Sequence, residues 1–213
     1  MKLYKALLFF LLLSAFALVF AQDDQSGFIS LDCGLPLNSN YTEPKSNLKY
    51  ISDEPFVTTG TSHSVALEYK AGIKEYVKTL RSFPEGVRNC YAINITKGTR
   101  YLILATFFHG NYDNQNTAPE FDLHIGASFW TTVTIGNVSI FQLEEIIHIP
   151  LRDLVHVCLI NTGLGTPFIS ALELRPILSN QRIYYNTTAP SESLALLYRL
   201  DIGSITNQPY RSV

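Results

Sequence analysis

The sequence predicts an all-β protein whose short strands pack into a jelly-roll-like β-sandwich. Three observations support this fold class. Apolar and polar residues alternate with a period of two in several runs, β-branched residues are frequent within those runs, and glycine, asparagine and proline separate them. Strands and turns of sandwiches and jelly rolls have this pattern. With 46% hydrophobic residues in 213, the chain can also bury a core.

The predicted strands follow one another from Phe28 onward. The first lies in "FISLDCGLP", where Ile29 and Leu31 alternate with polar residues, and "NCYAINITKGTRYLILATFF" predicts two strands around a Lys97-Gly98 turn. "FDLHIG" places Asp122 and His124 on one face of a strand. "WTTVTIGNVSIF", "LEEIIHIPL", "LVHVCLIN" and "FISALELRP" complete the predicted series.

The N-terminal stretch has the pattern of a secretory signal peptide. Two lysines precede an apolar run from Ala6 to Phe20, and small residues around Ala21 suit a cleavage site. The run is shorter than the roughly 20 residues that span a bilayer, so a retained anchor is the less favoured alternative. We therefore expect residues 1–21 to be removed on secretion, and we expect no membrane span in the mature chain.

In a secreted protein, sequons can be glycosylated and cysteines can form disulfides. The four Asn-x-Ser/Thr sequons begin at Asn40, Asn94, Asn137 and Asn186, and each predicts a surface position if it is N-glycosylated. Three cysteines in an oxidising compartment predict one disulfide and one spare thiol, with three possible pairings. We favour Cys90–Cys158, because both residues lie in strand-like runs, which leaves Cys33 as a buried free thiol.

Charge argues against nucleic acid as a partner. The chain has 16 basic and 18 acidic residues, with no cluster of lysine or arginine. Nucleic-acid binding needs a basic surface.

The window "FFHGNYDNQNTAPEFDLHIG", residues 107–126, is the candidate for metal or acid–base chemistry. It contains five suitable side chains: His109, Asp113, Glu120, Asp122 and His124. Their spacing matches no metal-binding motif. Asparagine and aspartate in the middle of the window instead favour a turn, because their side chains bond nearby backbone. We interpret the window as a loop between two strands, and we expect no metal and no cofactor.

Other polar residues give no better catalytic site. Glu144 and Glu145 are neighbours on a predicted strand and point to opposite faces, so they cannot flank one glycosidic bond. His148 and His156 lie among isoleucine and valine, which favours hydrogen-bonded structural histidines. No nucleophile elbow or Cys–His arrangement is present, so we expect no enzyme activity.

Five segments follow one another along the chain in a fixed order: "FISLDCGLP", "LRSFPEGVRNCYAI", "YLILATFFHGNYD", "FDLHIGASFWTTV" and "VCLINTGLGTPFISALELRP". Together they resemble the malectin-like extracellular domain of plant leucine-rich-repeat receptor-like kinases. In that family two malectin-type β-sandwich lobes precede leucine-rich repeats, a membrane helix and a Ser/Thr kinase. The resemblance implies a first lobe over residues 28–177. The segment 178–213, with "SLALLYRLDIGS", would open a second lobe, and we expect it to be only weakly held. The product would then lack the repeats and the kinase.

The resemblance implies a non-catalytic recognition module at the cell surface or plasma membrane. Its expected partners are a peptide or protein ligand, a co-receptor, or a cell-wall glycan. The alternative is a lectin-type module that binds cell-wall carbohydrate directly. Tyr69, Tyr76 and Tyr112 are the aromatic side chains that we consider for stacking on a ligand, whereas we expect Trp130 to lie in the core.

Overall fold

The computed structural model describes residues 25–177 and 193–195, and within them the protein is all-β, as the sequence predicted. Three short 3-10 turns connect strands, at Glu54–Phe56, Leu67–Tyr69 and Glu75–Val77. The strands are β1 Ile29–Asp32, β2 Asn40–Thr42, β3 Lys49–Ser52, β4 Thr61–Ser64, β5 Thr79–Ser82, β6 Arg88–Asn94, β7 Tyr101–Phe108, β8 Glu120–Ile125, β9 Ser128–Thr134, β10 Phe141–His148, β11 Leu154–Leu164, β12 Phe168–Ile169, β13 Ala171–Pro176 and β14 Leu194–Ala195.

These strands form three sheets. A seven-stranded sheet has the order β14-β10-β7-β13-β1-β3-β2, a four-stranded sheet has the order β6-β11-β8-β9, and a three-stranded sheet has the order β12-β5-β4. All pairings are antiparallel except that of β1 with β3. β7 lies inside the largest sheet, between β10 and β13, and seven of its eight residues are buried.

One core joins the sheets. Phe107 of β7 packs edge-on against Phe121 of β8 at 5.6 Å and against Phe168 of β12 at 6.2 Å, so a single side chain contacts all three sheets. All three rings are fully buried. Aromatic pairs at these separations add to the free energy gained by burying apolar surface. Trp130 is buried as well, at 6% exposure.

The predicted strand positions are largely confirmed. In β8, Phe121, Leu123 and Ile125 are buried while Asp122 and His124 lie on the partly exposed face. The "LEEIIHIPL" segment lies in strand β10 rather than in a helix. The strand ends at His148, two residues before Pro150.

Two expectations for the strands need correction. The runs on either side of Lys97-Gly98 do form strands, but β6 belongs to the four-stranded sheet and β7 to the seven-stranded sheet, so they are not paired with each other. The alternation of apolar and polar residues in β1 does not produce one buried and one exposed face, because Ser30 and Asp32 are buried along with Leu31. β1 lies between β13 and β3, which removes it from solvent.

A disulfide links two neighbouring strands of the four-stranded sheet. Cys90 of β6 and Cys158 of β11 are directly opposite each other, and their Sγ atoms are bonded. This is the pairing favoured from their strand positions. Cys33 is a free and buried thiol, and burial raises its pKa.

A buried carboxylate connects all three sheets. Asp53 accepts hydrogen bonds from the backbone N–H of Gly34, which follows β1, at 3.0 Å and from the Tyr91 hydroxyl at 2.8 Å. The Arg81 guanidinium donates Nε and Nη2 to it at 2.6 and 2.9 Å. Hydrogen bonding to Asp53 raises the pKa of Arg81, so the guanidinium stays charged. Such a saturated pair fixes the position of every strand that it joins.

Two predicted features lie mainly outside the described residues. The signal peptide, residues 1–21, is one of them, and most of the 178–213 segment is the other. Of that second segment, Leu194 and Ala195 pair with β10 in the seven-stranded sheet. Across residues 25–177 and 193–195, helices long and apolar enough for a membrane crossing are absent.

Candidate functional site

The 107–126 window divides into the end of β7, a loop over residues 109–119 and strand β8. His109, the first loop residue, is 1% exposed and packs between the rings of Tyr112 at 4.8 Å and Phe168 at 5.3 Å. Gly110 then fixes the root of the loop. Its N–H donates to the carbonyl of Val138, and its carbonyl accepts from the N–H of Ala66, both at 2.8 Å.

Asparagine and aspartate side chains shape the rest of the loop, as expected for turn residues. Asn111 Oδ1 accepts from the N–H of Asn116 at 2.8 Å, and Asp113 Oδ1 accepts from the N–H of Gln115 at 3.0 Å. Asn111, Asn114 and Asn116 have φ of 49°, 59° and 54°. Asparagine adopts this left-handed region more readily than other residues with a Cβ.

The five polar side chains of the window do not converge on one point. On the outer face of the four-stranded sheet, Asp122 accepts from the Thr132 hydroxyl at 2.6 Å and Glu120 from the Thr134 hydroxyl at 3.0 Å. His124 packs against the exposed ring of Phe129. Only His109 and Asp113 share the loop. Over the part of the chain that the structure describes, no three histidine, cysteine or acidic residues are grouped to hold a metal ion.

The 109–119 loop and the 163–166 segment, which covers the end of β11 and the start of its connection to β12, enclose a depression of about 270 Å³. We call this depression the His109 groove. The segment approaches the loop very closely, because a Cβ on Gly165 would lie 2.7 Å from the Cβ of Pro119. Gly165 also has φ of 106°, which favours glycine. The groove is lined by His109, Tyr112, Asp113, Gln115, Thr117, Ala118, Pro119, Gly163, Leu164, Gly165 and Thr166.

A second depression of about 350 Å³ adjoins the groove. The two share Thr117 and Ala118, and the far wall of the second is formed by residues 135–138. That wall includes Asn137, the exposed asparagine of a sequon, whose Oδ1 accepts from the Ser139 hydroxyl at 3.0 Å. A ligand longer than one side chain could therefore contact both depressions across Thr117.

Asp113 is the one formally charged residue of the groove lining at neutral pH. Its Oδ2 lies 3.9 Å from His109 Nε2 and its side chain is 23% exposed. Burial lowers the pKa of His109, and the Asp113 carboxylate opposes this shift, so the imidazole is neutral at pH 7. Burial also raises the pKa of Tyr112 to about 12, with a smaller contribution from Asp113.

The groove is therefore suited to binding a polar ligand rather than to catalysis. It offers one carboxylate, a neutral imidazole, a phenol, an amide and hydroxyls. His109 Nδ1 is buried without a hydrogen-bond partner among the described residues. No nucleophile lies beside a base, and the arrangement holds no second carboxylate for acid–base work.

The three tyrosines considered for ligand contact have different environments. Tyr76 is 7% exposed and stacks on Tyr50 at 5.0 Å, so its assignment to a ligand surface is wrong. Tyr69 is half-buried and packs edge-on against Phe108. Tyr112 alone lines the groove. The contribution of the 163–166 segment was missed from the sequence, although the composition of "TGLGTP" signals a tight turn.

The residues rejected as catalytic lie apart from the groove. Glu144 and Glu145 occupy β10, where Gln142 donates to Glu144 at 2.8 Å. His148 hydrogen-bonds Ser193 at 2.7 Å, and burial lowers its pKa. His156 is exposed, so the expectation of an internal hydrogen-bonded histidine is wrong there. Its neighbours Val155 and Val157 point inward instead.

Three of the four sequons are on the surface. Asn40, Asn94 and Asn137 are exposed, at the start of β2, the end of β6 and the loop after β9. Asn186 lies outside the described residues.

Comparison with known proteins identifies the fold family. The Malectin-like domain family matches residues 31–212, which is most of the chain. The chain belongs to the malectin-like domain family. The resemblance found in the quoted sequence segments is thereby confirmed.

The curated relatives of this malectin-like chain are receptor-like kinases. A putative leucine-rich repeat receptor-like protein kinase of Arabidopsis thaliana is 44% identical over 201 residues, which cover 93% of this chain and 22% of that protein. The chain thus spans about a fifth of the length of that relative.

Two solved structures show the same fold. The ANX1 ectodomain from Arabidopsis thaliana matches with a TM-score of 0.66 at 15% identity, covering 83% of this chain and 50% of that one. A structure of the plant peptide RALF23 in complex with FER and LLG2 matches with a TM-score of 0.59 at 15% identity, covering 80% and 47%.

Proposed function

We propose that this chain is a non-catalytic extracellular recognition module of a malectin-like receptor-like kinase, which perceives a ligand at the cell surface. One observation carries the proposal: the malectin-like family match over residues 31–212, in a chain whose relative is a receptor-like kinase. The ligand class that we favour is a peptide or a protein, including a co-receptor. The solved neighbour in which FER is complexed with a peptide and LLG2 supports that class.

The His109 groove is the ligand site that we propose. The 109–119 loop follows the buried strand β7, and the 163–166 segment follows the part of β11 that is buried at Val157–Leu159. Loops on a rigid scaffold are where proteins commonly place recognition. Asp113 gives the groove a negative charge, and its carboxylate is neither buried nor paired with a cation. A ligand with a hydrogen-bond donor or a cationic group fits that chemistry.

A lectin-type module is the second candidate. Its support is the polar lining of the groove, with Tyr112 beside hydroxyls and an amide. The ring of Tyr112 already contacts His63 at 4.9 Å, His109 at 4.8 Å and Phe168 at 6.0 Å. That leaves little of an aromatic face for stacking on a sugar, which is why a peptide or protein ligand is favoured.

Secretion and domain organisation complete the proposal. Residues 1–21 act as a cleaved signal peptide, residues 28–177 form the first lobe, and residues 178–213 open the second. N-glycans attach at Asn40, Asn94 and Asn137, whose exposure supports this, and at Asn186. N-terminal sequencing of secreted protein should begin at Gln22, and peptide mapping after deglycosylation should report the occupied asparagines.

The ligand class is tested by parallel binding screens. The secreted chain is applied to an array of cell-wall oligosaccharides and to immobilised secreted plant peptides and proteins. Thr117→Trp fills the exposed point that both depressions share, and Ser128→Trp places the same side chain at an exposed end of β9.

Peptide or protein binding that Thr117→Trp abolishes and Ser128→Trp preserves supports the proposal. Binding to sugars alone, with the same dependence on Thr117, supports the lectin-type module instead. Binding that Thr117→Trp leaves unchanged removes the groove as the ligand site.

A further inference from the structure

The two sulfurs of the Cys90–Cys158 disulfide differ in their access to solvent. Cys90 is partly exposed, and its neighbours Asn89 and Tyr91 are buried, so its side chain points to the outer face of the four-stranded sheet. Cys158 is 0% exposed. An incoming thiol can therefore reach the sulfur of Cys90, whereas that of Cys158 is shielded.

Arg88 places a positive charge on the shielded sulfur. Its Nη2 donates to Cys158 Sγ at 3.1 Å and also to the backbone carbonyl of Gly126, which fixes the position of the guanidinium. The ion pairs among the described residues do not include Arg88. A neutral disulfide sulfur gains little from a cation, but a thiolate at the same position gains a charge-assisted hydrogen bond.

We propose that the Cys90–Cys158 bond is a thiol–disulfide exchange site for a dithiol reductant. A thiolate of the reductant attacks Cys90 Sγ and forms a mixed disulfide, and the Cys90–Cys158 bond breaks with its electron pair on Cys158 Sγ. Arg88 stabilises this leaving thiolate, and exchange is faster when the leaving thiol has a lower pKa.

The second thiol of the reductant completes the reaction. It attacks the reductant's own sulfur in the mixed disulfide and releases Cys90 as a thiolate. The reductant is oxidised to a disulfide, and the protein takes up the two electrons. The two protons of the reductant's thiols pass to water or to the released sulfurs. This site depends neither on the His109 groove nor on the ligand that we propose for the groove.

The sheet does not depend on the disulfide for its strand pairing. All seven residues of β6 pair with β11, and Tyr91 and Ile93 of β6 are fully buried in the core. Reduction therefore removes the covalent link between two strands that remain paired, and the bond can form again in the same register.

A monothiol probe tests which sulfur is attacked. The secreted full chain is incubated at pH 7 with reduced glutathione, trapped with iodoacetamide and mapped by peptide mass spectrometry. Glutathione should be found on Cys90 and the alkyl group on Cys158. Glutathione on Cys158 would overturn the proposal. Cys33 is buried and should stay unmodified, and its alkylation in step with the opening of the disulfide would overturn the proposal by showing that the bond opens only on unfolding.

Reduction kinetics with dithiothreitol test the role of Arg88. Arg88→Met removes the charge and should slow reduction of the native protein by about threefold or more. Arg88→Lys keeps a positive charge and should recover part of the rate. Arg152→Met is the matched control, because Arg152 is exposed on the turn before β11, and it should leave the rate unchanged. Equal rates for wild type and Arg88→Met, or equal slowing by Arg152→Met, would overturn the proposal.

Discussion

Asp53 and Asp113 are two carboxylates in very different surroundings. Asp53 is fully buried and accepts hydrogen bonds from Gly34, Tyr91 and both donating nitrogens of Arg81. Asp113 is partly exposed and accepts one backbone hydrogen bond, from Gln115, with a neutral histidine 3.9 Å away. The first has no acceptor capacity left for a ligand, whereas the second retains most of it.

The difference separates a structural role for Asp53 from the recognition role that we propose for Asp113. A buried ion must be saturated by the protein itself, because water is not available to it. A ligand-binding carboxylate needs unfilled acceptor positions and access from solvent. Asp53 therefore holds strands together, and Asp113 is available for binding. Substitutions at the two residues should affect different measurements.

The largest effect is expected for Asp53→Asn. The change leaves the Arg81 guanidinium buried without its counter-charge, which costs about 3–5 kcal/mol of unfolding free energy. Urea unfolding followed by tryptophan fluorescence measures it through the buried Trp130. Asp122→Asn is the matched control, since that carboxylate bonds only Thr132 on the partly exposed sheet face and should change stability by about 0.5 kcal/mol or less. A loss below about 1 kcal/mol for Asp53→Asn would contradict its structural role.

Asp32 extends the comparison to a buried carboxylate with hydroxyl partners and no cation. It accepts from Tyr41 at 2.8 Å and Thr79 at 2.6 Å, and burial raises its pKa from 3.8 to about 7. Between about pH 4 and pH 7, Asp32 is therefore protonated in the folded state and ionised in the unfolded state. The stabilisation from Asp32 is complete below pH 4 and is lost as the pH rises through 7, by up to about 4 kcal/mol.

Asp32→Asn should remove this dependence on pH. Urea unfolding of both proteins from pH 4.5 to 7.5 compares their free energies of unfolding. The wild-type protein should lose stability relative to the variant as the pH rises. A difference that is constant, or that grows in favour of the wild type, would show that Asp32 is not protonated in the folded state.

A smaller effect is expected at the root of the groove loop. Gly110 and Gly126 have similar φ, 50° and 56°, but a Cβ at Gly110 would lie 2.6 Å from the Cβ of Val65, whereas nothing lies within 4 Å at Gly126. Both alanine variants carry the left-handed backbone cost of about 1–2 kcal/mol. Gly110→Ala should lose a further 1–3 kcal/mol or so from the clash. Equal thermal unfolding temperatures for the two variants would show that the backbone around Gly110 accommodates the added methyl group at little cost.

The sequence predicts the strands well because their signals are local. The alternation in "FDLHIG" specifies which face of β8 is buried, and the β-branched run in "LVHVCLIN" gives most of β11. Turn chemistry around Asn111 and Asp113 is equally local. The family resemblance rests on the same local segments, and it identified the correct family.

Contacts between segments that are far apart in the sequence could not be predicted from it. The separation of β6 and β7 into different sheets depends on pairings with β11 and β13, far along the chain. Tyr76 was considered for ligand contact as an aromatic side chain, yet it stacks on Tyr50, which is 26 positions away in the sequence. The groove itself forms only where Gly165 meets Pro119, across 46 positions of sequence.

Asp113→Asn tests most directly whether the groove recognises a ligand through its free carboxylate. The change keeps Oδ1, which accepts the Gln115 N–H, so unfolding free energy should stay within about 0.5 kcal/mol of wild type. Titration calorimetry with a peptide or protein found by the binding screen should show affinity weakened about tenfold or more, which corresponds to about 1.4 kcal/mol. Asp122→Asn should leave that affinity unchanged. Equal affinity for wild type and Asp113→Asn would contradict recognition by Asp113.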